Sequence, residues 1–122
     1  MCADTIQSDH GPIPHKWRAT VVRILNGDPQ HILTTRESER DWNTLFPASF
    51  AYERHAAMAA ALRVDGVEGR RIHGMTPEGE TYAFFFNHED RKLYGKINLL
   101  AGNRVILIIS SHLPDPKKGN RL

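Results

Sequence analysis

The chain has 122 residues, with 16 lysines and arginines against 14 acids, seven histidines and a net charge of +2. That length suits one domain able to bury roughly two thirds of its unfolded surface, and so mild a charge does not by itself announce a nucleic-acid binder. Cys2 is the only cysteine, which excludes an internal disulfide or a thiolate metal cluster within one chain.

Neither a signal-peptide core nor a run near the ~18 apolar residues of a membrane span is visible. The expectation is a reducing, cytoplasmic setting with no membrane partner. Residues 1–15 are polar, with Gly11, Pro12 and Pro14 close together, and are expected to form a flexible arm. His10 and His15 flank its end, but two histidines without a carboxylate at helical spacing are too few for a metal site. Residues 16–25 read as a strand, with Trp17, Ala19 and Val21 on one face and Thr20, Val22 and Ile24 on the other. Asn26-Gly27 is the favoured pair for a hairpin turn, which makes residues 31–35 a short return strand.

Ser38 opens a helix: Ser38-Glu-Arg-Asp41 fits a capping box, and Trp42, Leu45 and Phe46 recur at helical spacing. Pro47 ends it or opens the next. Residues 49–63 form a second helix with Phe50, Arg54, Ala57, Met58, Ala61 and Leu62 as its stripe. Five alanines between Ala56 and Ala61 keep it thin enough to pack closely on a sheet. His55 reads as a solvated residue on that helix.

From Gly69 to His112 the chain reads as a four-stranded meander over residues 69–75, 81–88, 92–100 and 104–112. Thr76-Pro-Glu-Gly79 (a type I turn), Glu89-Asp-Arg91 and Ala101-Gly-Asn103 separate the strands. The last strand is apolar on both faces through its middle and should be central. The fold class is α+β, with two helices from the N-terminal half on one face of a mostly antiparallel sheet. The domain spans residues 16–113, and the basic tail 114–122 carries Lys117, Lys118 and Arg121.

Alternation sorts the polar positions of the meander. In its third strand Leu93, Gly95, Ile97 and Leu99 belong to the core, and Lys92, Tyr94, Lys96 and Asn98 face solvent or a ligand. In the first, Arg71 and His73 share a face, opposed by Arg70 and Ile72. If the exposed faces coincide, Arg71, His73, Tyr94, Lys96 and His112 share one concave side, and His88 joins them from the end of its strand. Such an inventory suits metal-independent RNA cleavage. One group takes the 2′-hydroxyl proton, another protonates the leaving oxygen, and cations stabilise the phosphorane-like transition state. Histidine serves either proton role, and arginine and lysine supply fixed charge. Tyr94 can stack on a base, and Arg91 and Arg104 add cations for substrate. The plainer reading is of histidines that end strands at the surface and basic residues that guard a sheet edge. Ser110-Ser111-His112 lacks the glycine-flanked elbow of a nucleophile, and no phosphate loop or two-histidine helix motif is present. No metal or cofactor is expected.

The helices-then-meander order, the basic Arg71 and Lys96 and the terminal Ser110-Ser111-His112 resemble the compact ribonuclease toxins of the RelE/ParE-like superfamily, from bacterial toxin–antitoxin systems, over roughly residues 38–112. The resemblance implies a basic residue on a middle strand, here Arg71 or Lys96, and a histidine or tyrosine near the end of the last strand, here His112. Some members add an acid, for which Glu80 is the candidate. It also implies single-stranded or ribosome-bound RNA as substrate and an inhibitory antitoxin-like protein as partner. The leading expectation is thus an endoribonuclease using His112 and His73 for proton transfer and Arg71 and Lys96 on phosphate. The alternative is a non-catalytic module presenting a sheet face or edge to a protein partner or a second copy. A third reading, nucleic-acid binding without catalysis, predicts strongly salt-dependent association.

Overall fold

Three helices lie on one face of a six-stranded, mostly antiparallel sheet in the computed structural model, which describes residues 9–115. The elements are β1 (His10–Pro12), α1 (His15–Leu25), β2 (Ile32–Thr34), α2 (Arg36–Leu45), α3 (Ala51–Leu62), β3 (Glu68–Ile72), β4 (Gly79–His88), β5 (Arg91–Leu100) and β6 (Ile106–His112). The strands lie in the order β1-β3-β4-β5-β6-β2, so β3 to β6 form the meander and the N-terminal half supplies both edges. Among the described residues no helix is long and apolar enough to cross a membrane.

Residues 16–25, expected as a strand, form helix α1. Its buried residues Trp17, Val21, Ile24 and Leu25 follow i, i+4, i+7 and i+8, and this period prevails over the β-branched run Thr20-Val21-Val22. Asn26-Gly27 makes no hairpin: Asn26 caps α1, and the Gly27 N–H donates to Ile24 O at 3.0 Å. The return strand exists as β2 but pairs in parallel with β6, Ile32 opposite Ile106. The inner end of the expected arm is structured too, because His10–Pro12 pairs antiparallel with β3. Most of the basic tail, including Lys117, Lys118 and Arg121, lies outside the described residues.

Helix α2 starts three residues before the expected cap. Thr35 is the N-cap, its hydroxyl accepting from the Ser38 N–H at 3.1 Å, and Ser38 itself is buried. In α3 the buried side is Arg54, Met58, Ala59 and Leu62, whereas Phe50, expected in the stripe, is 66% exposed. The close approach of α3 to the sheet occurs at Gly95, where a Cβ would sit 3.3 Å from Met58 Cε and 3.1 Å from the Phe86 ring. On the helix side of β4 and β5, Tyr82, Phe84, Phe86, Leu93, Ile97 and Leu99 meet Trp17, Trp42 and Leu62 in one core. The connection over residues 73–78 is longer than the expected type I turn, with Asn98 Nδ2 donating to Pro77 O at 2.7 Å. Glu89 and Asp90, with φ of 49° and 63°, make the tight β4–β5 hairpin.

His55 is half-buried rather than solvated, and Arg54 Nη2 lies 3.2 Å from its Nε2. Burial, and then the Arg54 charge, lower its pKa to about 4. In the unfolded chain the imidazole binds a proton below about 6.5, so between that pH and about 4 unfolding takes up a proton, and stability falls as pH falls. Allowing for partial exposure, the loss across this window is about 1–2 kcal/mol. Urea unfolding of wild type and His55→Gln at pH 7 and pH 4.5 checks it: the variant is expected to lose less stability on acidification.

Candidate active site at the end of the sheet

Cross-strand register decides which side chains share a face. Arg70 lies opposite Ala83, Ala83 opposite Lys96, and Lys96 opposite Ser110. One row on, Phe85, Tyr94 and His112 are aligned. Both rows are on the face that carries no helix, since Leu93, Ile97, Phe84 and Phe86 point the other way.

His112 reaches this face because of a bulge. Lys96 pairs with Ser110 but Ile97 pairs with Ile108, which leaves Ile109 as the extra residue. Strict alternation from the core residues Ile106 and Ile108 would send Ser110 and His112 under the helices. The bulge reverses the parity: Ser111 turns inward onto Ser38 of α2, and Ser110 and His112 turn outward. The same stretch anchors α2. The Thr35 N–H donates to Ile108 O at 3.0 Å and the Thr35 hydroxyl to Ile109 O at 3.2 Å.

Between this anchored helix and the end of β6 is a cleft of about 590 Å³. Lys96, Ser110 and His112 line it from the sheet, and Glu37, Arg40 and Asp41 from α2. His112 Nδ1 lies 2.7 Å from Leu113 O. A carbonyl only accepts, so Nδ1 carries the proton and Nε2 is the nitrogen open to exchange one. The ring stacks on Tyr94, centroids 5.5 Å apart at 29°. Tyr94 is 4% exposed, with Phe85 edge-on at 6.3 Å. It therefore braces His112 instead of offering a face to a base. Burial raises the Tyr94 pKa, and the charge of Arg70 partly opposes this. Lys96 is half-buried, makes no ion pair among the described residues, and has its pKa lowered by burial.

The other expected site residues are elsewhere. His73 pairs with Asp9 at 2.8 Å and follows Ile72, whose row (Thr81, Asn98) lies roughly 13 Å along the strands from Tyr94. His88 is at the same end of the sheet as His112 but under the helices, packed on Trp42 and Phe46 with ring centroids 4.9 and 4.8 Å away and 3.1 Å from Ser49 Oγ. Arg71 is on the helix side, over Tyr82 and 3.7 Å from Glu80, so neither it nor Glu80 meets Lys96. Arg91 lies over Phe46 at 5.7 Å, and Arg104 is exposed in the β5–β6 turn at the far end. The cation that the register places on the face of Lys96 is Arg70, and not the expected Arg71. Arg40 and Asp41 of α2 were also missed, since nothing local in the chain ties α2 to the end of β6.

Among the described residues no three histidine, cysteine, aspartate or glutamate side chains come together as a metal site. Comparison with protein-family models, curated proteins and solved structures finds no match to this chain.

Proposed function

We propose that the cleft between α2 and β6 cleaves single-stranded RNA without a metal ion. The observation that supports this reading is the presence, in one cleft, of His112, its Nε2 open, and Lys96, a half-buried ammonium with no ion-pair partner among the described residues. His112 Nε2 takes the 2′-hydroxyl proton as the 2′-oxygen attacks phosphorus. The bond from phosphorus to the 5′-oxygen breaks, and that oxygen leaves with a proton. Lys96, its proton loosened by burial, faces the charge that builds on the phosphoryl oxygens and can donate to the leaving group. The products are a 2′,3′-cyclic phosphate and a 5′-hydroxyl. His73 and Arg71 have no part in this scheme. The test is incubation of the purified protein with single-stranded RNA in EDTA. Cleavage to cyclic-phosphate ends is expected, and RNA recovered intact over a range of sequences would overturn the proposal.

A second reading, a module that binds a protein partner or a second copy, draws support from Phe50 and Tyr52. Their rings stack 5.7 Å apart at the start of α3, 66% and 68% exposed. It predicts association without RNA cleavage.

A further inference from the structure

The uncovered face holds two cations whose placement costs energy unless an anion joins them. Arg70 on β3 and Lys96 on β5 are half-buried, point to the same side and are separated only by the methyl group of Ala83 on β4. Neither has an ion-pair partner among the described residues. Elsewhere the half-buried and buried arginines are matched: Arg71 by Glu80, Arg54 by Glu39, and Arg18 by the carbonyls of Ile13 and Leu62. Burial raises the Tyr94 pKa and the Arg70 charge opposes this, in keeping with the face the two residues share. Two like charges on one face, partly out of water and unmatched among the described residues, make that face a site for an anionic ligand.

The row does not end at Lys96. It continues through Ser110 into the cleft of His112 and Arg40, and from Arg70 to Ser110 it crosses three strand spacings, roughly 14 Å. That length exceeds one phosphate and fits a polyanionic strand lying across the β-strands. We propose that Arg70 holds a backbone phosphate next to the scissile one that Lys96 faces, so that the protein takes an extended single-stranded RNA, entering over β3, and not a mononucleotide. The inference rests on the ribonuclease reading for the identity of the polyanion.

The experiment is fluorescence anisotropy with a labelled 2′-O-methyl oligoribonucleotide, which has no 2′-hydroxyl to react, titrated at several salt concentrations. Arg70→Gln is expected to weaken binding several-fold and to reduce the slope of log K against log salt by about 0.7, the contribution of one phosphate on a single strand. Arg23→Gln, an exposed position on α1 under the other face, is expected to leave the slope at the wild-type value. Thermal melting of each variant checks folding. An unchanged slope in Arg70→Gln, an equal change in Arg23→Gln, or no binding by wild type at low salt would overturn the inference. The outcomes separate it from the catalytic reading. Binding with the Arg70-dependent slope, but no cleavage of the unmodified strand, leaves the track and removes the enzyme. Cleavage that depends on His112, with an Arg70-independent slope, does the reverse.

Discussion

His112→Ala is expected to lower the rate of single-stranded RNA cleavage by about 10²–10⁴-fold, the range general acid–base groups supply. Of the two histidines expected to transfer protons, His112 and His73, it is His112 that stands at the cleft with Lys96. Its Nδ1 is committed to Leu113 O, and the Tyr94 ring holds its plane. Little stability should go with it, because the side chain is only partly buried at the end of the last strand. A thermal melt near that of wild type therefore accompanies the expected loss. Lys96→Ala should also reduce the rate, and the double variant should fall less than the two losses combined, since both groups act on one transition state. Initial rates for the four proteins in EDTA check this. Activity in His112→Ala within twofold of wild type would remove the proton-transfer role whatever else the cleft does.

The meander and the two middle helices are legible in the chain because each strand is a run of aromatic and β-branched residues between turn formers, and each helix keeps its own period. Helix α1 was hidden by a local conflict. Thr20-Val21-Val22 favours a strand, while Trp17, Val21, Ile24 and Leu25 form a helical stripe that matters only once a sheet is there to bury it. The candidate site was half legible for a different reason. Alternation within β5 puts Lys96 and Tyr94 on the face away from the helices, although Tyr94 is buried there; joining them to β3 and β6 requires register, which a strand's own residues do not encode. One step of parity is enough to exchange Arg70 for Arg71. The bulge at Ile109 is a second such step, and its residue, one more isoleucine in an apolar run, carries no local mark. Helix α2 as one wall of the cleft depends on Thr35 and Ser38 meeting residues more than seventy positions away.

Glu39→Ala is expected to cost about 3 kcal/mol of stability, and Arg54→Met much less, an order opposite to the burial of the two residues. Arg54 is 1% exposed, whereas the Glu39 side chain is 46% exposed. The guanidinium donates through Nη1 to Glu39 Oε1 at 3.0 Å and through Nη2 to Thr34 Oγ1 at 3.2 Å, and it lies 5.9 Å from the Trp42 ring centroid. Its Nε has no hydrogen-bond partner among the described residues, and burial lowers its pKa against the pull of Glu39. Removing Glu39 leaves a charge in the core with a hydroxyl and a neutral imidazole for company, and breaking a buried pair in this way costs about 3–5 kcal/mol. The low end applies because a carboxylate so open to water contributes less than a buried one. Arg54→Met removes the charge and fills most of the space, and Glu39 returns to solvent intact. Exchanging a buried ionic group for an apolar one is often close to neutral. Urea midpoints at equal m-values measure both. A much larger loss in Arg54→Met than in Glu39→Ala would mean that the guanidinium is favourable for its own contacts, and that the pairing with α2 adds little. The consequence extends to the cleft, because the helix that presents Glu39 to Arg54 also carries Arg40 and Asp41 into the wall facing His112.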